Sequence, residues 1–161
     1  MRAPPGKSSL KEQLVRVLAS DLAVRERAYR ASREAATHEE AKPENDKDTR
    51  ALEQSYLARG EALRLEELRG ALADVEALTS SALGPGDPVR LGALVATEED
   101  GQRALYWLAP HGGGTRLQGD TVQVVTPRSP LGRALLGKRA GDECEVLLAG
   151  KRRTLAIVSI T

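Results

Sequence analysis

A single proline divides a long stretch of the chain that is otherwise free of proline. Pro43 is the only one between the N-terminal lead-in and Pro85. Proline cannot donate the helical hydrogen bond, and it disfavours helical geometry at the residue before it. On both sides of Pro43, apolar residues recur at three- and four-residue spacing, which is typical of helices. The sequence therefore predicts two long helices that pack as an antiparallel coiled coil.

The first predicted helix starts at Ser9 and ends near Pro43. Ser9 and Glu12 fit a capping box, in which the serine side chain satisfies a free amide at the helix start. The stripe that we expect to face the second helix consists of Leu10, Leu14, Val17, Val24, Ala28, Ala31 and Ala35. Leu18, Leu22 and Tyr29 widen this stripe.

The second predicted helix is capped by Asn45 or Asp46 and runs to about Leu78. Its apolar positions are Leu52, Tyr56, Leu63, Leu65, Leu68, Leu72 and Val75. Heptad spacing relates Tyr56, Leu63, Gly70 and Ala77. Gly60 and Gly70 are small enough to let a neighbouring helix come close. At about 1.5 Å per residue, some thirty residues give an arm of roughly 45 Å.

Carboxylates are concentrated at the expected far end of this hairpin. Segment 38–50 contains the acids Glu39, Glu40, Glu44, Asp46 and Asp48, against Lys42, Lys47 and Arg50. From the residues alone, the preferred interpretation is a solvated loop with helix-capping acids.

Composition bounds the class of protein. With 161 residues, 40% of them hydrophobic, the chain can bury a core, whereas 29% charged residues and no Phe favour an elongated molecule. The single Cys144 cannot form an internal disulfide, and no apolar run is long enough for a membrane span. We therefore expect a cytoplasmic protein that does not bind membranes. The net charge of +1 excludes neither nucleic-acid nor protein partners.

The second half of the chain has the pattern of a small sheet domain. After a Ser-, Gly- and Pro-rich linker at 79–88, the predicted strands are 89–96, 103–108, 121–125, 144–148 and 153–160. Turns are predicted at 99–101 and 149–151, and a glycine-rich loop at 111–115. Ser129 and Pro130 form the cap and first residue of a short helix that Gly137 closes. The prediction is an α+β protein with a helical hairpin in 1–78 and a sheet-plus-helix domain in 89–161.

One stretch within this domain resembles a known family. Segment 129–138, Ser-Pro-Leu-Gly-Arg-Ala-Leu-Leu-Gly-Lys, and the following Ala-Gly-Asp-Glu at 140–143 resemble the signature of the Gre family of bacterial transcript-cleavage factors. The resemblance is to the GreA type more than to the GreB type. The order of hairpin before sheet domain agrees, as does the interval from Glu44 to Gly60. It covers nearly the whole chain, more strongly in the C-terminal half.

The resemblance implies a factor that acts on bacterial RNA polymerase. Its C-terminal domain, similar in fold to FKBP-type prolyl isomerases, would dock at the rim of the secondary channel, and the coiled coil would reach the active site. The acidic tip would share a second Mg²⁺ with the polymerase, so that the nascent RNA of a backtracked complex is cleaved. The chain would then be no enzyme by itself, would hold no cofactor of its own, and is expected to be a monomer.

Of the two acidic tip residues expected in the family, this chain retains one. Glu44 matches the tip glutamate, but Ala41 stands where the tip aspartate is expected. Glu40 is the nearest substitute, and Asp46 adds charge nearby. The resemblance thus implies Glu40, Glu44 and Asp46 as the acids that assist cleavage, with Glu44 and Asp46 as ligands of the shared Mg²⁺.

Two further groups of residues are implied as contact sites. Arg27, Arg30 and Arg33 recur every third residue and would contact the RNA 3′ end, whereas Arg25 points elsewhere. A solvated helix face balanced by neighbouring glutamates is an equal alternative. The residues expected to contact the polymerase are Ser129, Pro130 and Arg133. A helix start alone would also account for the first two, and Arg128 departs from the acidic or amide residue that often precedes them.

Two other functions remain open from the sequence. A Gre-like regulator could occupy the polymerase channel without stimulating cleavage, because the tip acids are displaced. An FKBP-like prolyl isomerase or chaperone is the alternative from another class, although the chain has few aromatic residues to line its pocket. We expect Tyr106, Trp107 and Cys144 to be packing residues.

Overall fold

The structure of the chain, a computed structural model, describes residues 5–40 and 49–161. Its elements are α1 (Lys7–Glu40), α2 (Thr49–Ala77), β1 (Leu94–Glu99), β2 (Gln102–Leu108), β3 (Arg116–Leu117), β4 (Val122–Val125), α3 (Pro130–Leu135), β5 (Glu143–Leu148) and β6 (Lys151–Ile160). Two long helices thus precede a sheet with one short helix, which confirms the predicted α+β class. Within the described residues, no helix combines the length and apolar character that a membrane span needs.

Helices α1 and α2 run antiparallel. Near the start of α1, Lys11 Nζ donates to the carbonyl of Leu78, just after the end of α2, at 3.0 Å. Further along α1, Glu26 Oε1 lies 2.8 Å from Arg69 Nη2 in α2. Contacts therefore move backward along α2 as they move forward along α1, as predicted for a hairpin. The predicted connection at Pro43 lies outside the described residues, as do the capping candidates Asn45 and Asp46.

The start of α1 differs from the prediction. The helix begins at Lys7, because the carbonyl of Gly6 already accepts from the Leu10 amide at 3.2 Å. Ser9 is therefore inside the helix, and the predicted capping box is wrong. Its hydroxyl instead accepts from the side-chain amide of Gln118 at 2.9 Å, so a tertiary contact replaces the expected cap.

The face of α1 that packs against α2 also differs from the predicted stripe. Val17 and Val24 are 37% and 54% exposed, and Ala28, Ala31 and Ala35 are exposed as well. Leu10 and Leu14, at the start of the predicted stripe, are fully buried as expected. Beyond them, the buried or partly buried apolar positions include Leu18, Leu22 and Tyr29, which were predicted to widen the stripe, and Ala36. Burying leucine and tyrosine removes more apolar surface from water than burying alanine, so this face is the more stable one to turn inward.

In α2 the predicted apolar positions Leu65, Leu68, Leu72 and Val75 are buried or partly buried, but the predicted heptad positions are not. The predicted heptad positions Tyr56, Leu63, Gly70 and Ala77 are all exposed. The positions turned toward α1 are Ala58, Leu65, Leu68, Leu72 and Val75. A Cβ added at Gly60 or Gly70 would meet nothing within 4 Å, so neither glycine serves a close helix approach. The stripe through Leu65 supplies larger apolar side chains than one that contains Gly70 and Ala77.

The sheet has the strand order β3-β4-β2-β1-β6-β5. Its strand pairs are antiparallel except β2 with β4, which is parallel. Asp100 and Gly101 join β1 to β2 with φ angles of 49° and 76°, the backbone of a tight hairpin turn that glycine favours. The predicted turns at 99–101 and 149–151 are confirmed.

The first strand begins later than predicted. Segment 89–96 was expected to be extended, but the Ala93 amide donates to the Arg90 carbonyl at 3.0 Å and closes a turn before β1. The backbone of Val89 pairs instead with Lys138, beyond α3, at 2.7 Å. Strand β3 was not predicted, because two residues are too short to show an alternating pattern.

Both faces of the sheet are buried. One face packs with α3 around Tyr106, Leu108, Leu131, Leu135, Cys144 and Val146. The other face packs on the helical hairpin through a set that we call the base cluster: Leu10, Leu14, Leu18, Val75, Leu94, Trp107, Leu117, Val122 and Val124. The expected packing roles of Tyr106, Trp107 and Cys144 are confirmed. The chain division at 79–88 and the likeness to a prolyl isomerase fold stay predictions.

Candidate functional site

The described part of α1 ends far from the base cluster, next in sequence to the predicted acidic tip. Helix α1 has 34 residues, which corresponds to a length of about 51 Å. Its first three turns contact the sheet, and its last turn ends at Glu40. The side chain of Glu40 and the whole of Glu44 and Asp46 lie outside the described residues. Their roles, including the Mg²⁺ ligands, stay predictions.

The base cluster fixes the direction of the arm. Leu10, Leu14 and Trp107 are fully buried in it. Around the cluster, Gln13 Oε1 accepts from the backbone amide of Gln118 at 2.9 Å. The glycine-rich loop packs equally closely, since a Cβ on Gly112 would lie 2.6 Å from a methyl group of Leu14. Apolar burial and hydrogen bonds thus tie α1 to two loops of the sheet domain.

Two lysines strengthen the same junction from the start of α1. Lys7 Nζ donates to the carbonyl of Ser81 at 2.7 Å, and Lys11 Nζ to that of Leu78. These carbonyls follow the end of α2, where positive charge is favourable. Partial burial, and then the nearby Arg90, lower the pKa of Lys7.

The predicted basic patch is only partly brought together. Arg30 and Arg33 line a groove of about 530 Å³ between α1 and α2, which we call the distal groove. Arg27 is exposed but does not line it. The Arg33 guanidinium lies 5.9 Å from the ring centroid of Tyr29, within range of a cation–π contact.

The charges of the distal groove are mixed. Arg69 lies between Glu26 and Glu66, and its hydrogen bonds with both carboxylates raise the pKa of the guanidinium. Within the described part of the chain, Arg30 and Arg33 form no such ion pair. They are therefore the guanidinium groups of this groove that remain available for a phosphate.

The predicted docking residues form the start of α3. The Ser129 hydroxyl accepts from the Gly132 amide at 3.0 Å and donates to the Thr126 carbonyl at 2.8 Å, so it is a structural cap as predicted. Pro130 occupies the first helical turn. Pro130 and Arg133 are exposed, so these two side chains, more than that of Ser129, are free to contact a partner.

A second groove was not predicted from the sequence. Arg25 of α1, Arg64 of α2 and Arg128 of the loop before α3 line a groove of about 730 Å³ near the sheet domain, which we call the proximal groove. Two other lining residues are in contact, since His111 Nε2 lies 2.7 Å from Asp74 Oδ2. Arg25 lines this groove and not the distal groove, which Arg30 and Arg33 line. No local pattern signals this site, because its residues come from four separate segments.

No metal centre is formed by the residues that the structure describes. Within 5–40 and 49–161, His, Cys, Asp and Glu side chains do not gather in groups of three or more that could hold an ion. The predicted metal ligands are outside these ranges.

The chain is similar to known transcription factors. Residues 85–161 match the family profile described as "Transcription elongation factor, GreA/GreB, C-term". The chain is 31% identical to transcription elongation factor GreA of Halorhodospira halophila over 96% of its length and 92% of that protein. It is 30% identical to GreA of Alkalilimnicola ehrlichii, with the same coverage of 96% and 92%. The crystal structure of GreA factor homolog 1 (Gfh1) of Thermus thermophilus matches with a TM-score of 0.41 and 21% identity, covering 91% of this chain and 94% of that one.

Proposed function

The chain belongs to the GreA/GreB family of transcription elongation factors, and from this membership we propose that it binds bacterial RNA polymerase and stimulates cleavage of the nascent RNA in backtracked complexes. The sheet domain docks at the rim of the secondary channel, and the hairpin passes down the channel. The polymerase performs the cleavage, and this chain supplies groups that assist it.

The observation that carries the proposal is the anchored hairpin. An arm of about 51 Å can deliver side chains to a distant site only if its direction is fixed. Burial of Leu10, Leu14 and Trp107 fixes that direction at the sheet, and antiparallel packing of α1 and α2 stiffens the arm beyond it.

The acids assigned to the tip fit the metal that the proposal requires. Glu40, Glu44 and Asp46 offer carboxylate oxygens, which are the ligands that Mg²⁺ prefers. In the complex, Glu44 and Asp46 would hold the ion jointly with the polymerase. A second Mg²⁺ supplies positive charge where a phosphodiester is cleaved. The contribution of this chain is to add carboxylate ligands for the Mg²⁺ at the end of the arm.

The contacts of the factor divide between its two ends. Arg30 and Arg33 in the distal groove, with Arg27 beside them, are proposed to contact phosphates of the extruded RNA 3′ end. Pro130 and Arg133 on α3 are proposed to contact the polymerase, with Ser129 holding the start of that helix.

The test is a transcript-cleavage assay on halted, backtracked complexes of the cognate polymerase with Mg²⁺. We expect the wild-type chain to accelerate release of short RNA from the 3′ end. The double variant Glu44→Ala and Asp46→Ala should lose this acceleration and still bind polymerase. The matched control, Glu12→Ala and Glu76→Ala, removes two exposed carboxylates near the base and should behave like wild type.

The possible results separate the alternatives. Full cleavage by the tip variant would contradict the assignment of Glu44 and Asp46. Polymerase binding by the wild-type chain without acceleration would identify a regulator that occupies the channel. A peptide isomerisation assay with the chain alone tests the prolyl isomerase alternative.

A further inference from the structure

The proximal groove concentrates positive charge at the junction of hairpin and sheet domain. Arg25, Arg64 and Arg128 come from α1, α2 and the loop between β4 and α3. Within the described residues, none of these three guanidinium groups has a carboxylate partner or a hydrogen bond. Bringing like charges together without partners is unfavourable, so an anion in the groove would stabilise the arrangement.

The acidic residues of the groove do not balance this charge. Asp74 lies 2.7 Å from His111 Nε2, and a carboxylate can only accept, so the imidazole N–H donates to it. Asp74 keeps its negative charge when it accepts this bond, so two carboxylates, Asp74 and Glu67, face three arginines in the lining. The groove therefore has an excess of positive charge.

The chemistry of the lining selects phosphate. Guanidinium groups present planar pairs of donors that match phosphate oxygens, and three of them can engage a chain of phosphates. Among the described residues that line the groove there is no Phe, Tyr or Trp to stack on a base, and the one aromatic ring, the imidazole of His111, is held by its hydrogen bond to Asp74. Recognition would therefore depend on the length of the phosphate chain and not on the base.

We propose that the proximal groove binds the polyphosphate chain of a nucleotide. Its volume of about 730 Å³ is within the range of small-molecule sites. The site shares no residue with the distal groove, so it is separate from the arginines proposed to contact RNA. Because Arg25 and Arg64 belong to the hairpin and Arg128 to the sheet domain, the bound phosphates would clamp the two parts together.

Calorimetric titration of the full chain, without polymerase, tests this site. ATP, GTP and inorganic tripolyphosphate should bind with similar affinities, and AMP about tenfold more weakly, since it offers a single phosphate. Each of Arg25→Gln, Arg64→Gln and Arg128→Gln should weaken tripolyphosphate binding by about tenfold, the typical value of a hydrogen bond to a charged group. Arg59→Gln, an exposed arginine of α2 outside the groove, is the matched control and should change nothing.

Three results would overturn the proposal. They are equal tripolyphosphate affinity in the triple arginine variant, no binding by wild type at millimolar ligand, and tighter binding of a short RNA that tripolyphosphate does not displace. The last result would assign the groove to nucleic acid. Because polymerase is absent from the titration, its outcome is independent of the cleavage assay.

Discussion

Gly132 is the residue at which a single added methyl group should damage the sheet domain most. A Cβ at this position would lie 1.8 Å from the carbonyl oxygen of Thr126 and 2.7 Å from its carbon. That carbonyl cannot easily move, because it accepts from the Ser129 amide at 3.0 Å and from the Ser129 hydroxyl at 2.8 Å. Gly132→Ala must therefore displace either α3 or the turn that leads into it.

The magnitude follows from two contributions. Forcing extra volume into a packed site costs about 1–3 kcal/mol. Weakening the two hydrogen bonds to Thr126 costs about 0.5–1.5 kcal/mol each. We expect Gly132→Ala to lower the free energy of unfolding by about 3 kcal/mol, which in a protein of this size lowers Tm by about 6–12 °C.

The assay is urea unfolding followed by the fluorescence of Trp107, the only tryptophan, which is buried in the base cluster. Gly60→Ala is the matched control, because its Cβ would meet nothing within 4 Å. As an exposed helical position, it should gain about 0.5–1 kcal/mol. A free energy of unfolding for Gly132→Ala within about 1 kcal/mol of wild type would refute the steric argument.

Two further predictions concern charged groups. The hydrogen bond from Arg153 lowers the pKa of Glu99 below its ordinary value of 4.5, so the pair stabilises the fold above that pH and the effect is lost as pH falls through the lowered pKa. The urea midpoint of wild type should therefore fall more between about pH 5 and about pH 3 than that of Glu99→Gln, and equal slopes would contradict the assignment. In the distal groove, Arg30→Gln with Arg33→Gln should reduce cleavage stimulation most at low salt, where phosphate contacts are strongest, and an unchanged salt dependence in the cleavage assay would count against RNA contact.

Local signals in the sequence were sufficient for much of the fold. Pro43 and the three-four spacing predicted the helical hairpin, and Ser129 with Pro130 predicted the cap of α3, because each pattern acts through backbone groups a few residues away. The turn at Asp100 and Gly101 was predicted for the same reason. These features hardly depend on what packs against them.

The rotation of the helices could not be predicted in this way. On α1, the stripe through Val17 and Val24 and the stripe through Leu22 and Tyr29 both have helical spacing. Only packing in three dimensions decides which one faces α2. The hydrogen bond from Gln118 to Ser9 could not be predicted from local patterns either, since the two residues are 109 positions apart.

The candidate sites also divide into those that the sequence suggested and those that only the folded chain brings together. The resemblance implied Arg27, Arg30, Arg33 and the tip acids as contact residues, each set lying within one short stretch of the sequence, and their roles stay predictions. The proximal groove joins Arg25, Arg64 and Arg128 across three elements, so their proximity became visible only in the folded chain. Arg128 replaces the acidic or amide residue that often precedes Ser-Pro in the family. The sequence does not explain this replacement, but in the structure Arg128 lines the proximal groove.

The base cluster also has a consequence for how the protein is made. Leu10 and Leu14 emerge early from the ribosome, but Val122 and Val124, on which they pack, are synthesised far later. During synthesis the N-terminal part of a chain usually folds first, but the base of this arm cannot complete its packing until the sheet has been made. Its apolar base stays exposed to water until most of the sheet has been translated, and chaperones that bind nascent chains have that interval in which to act.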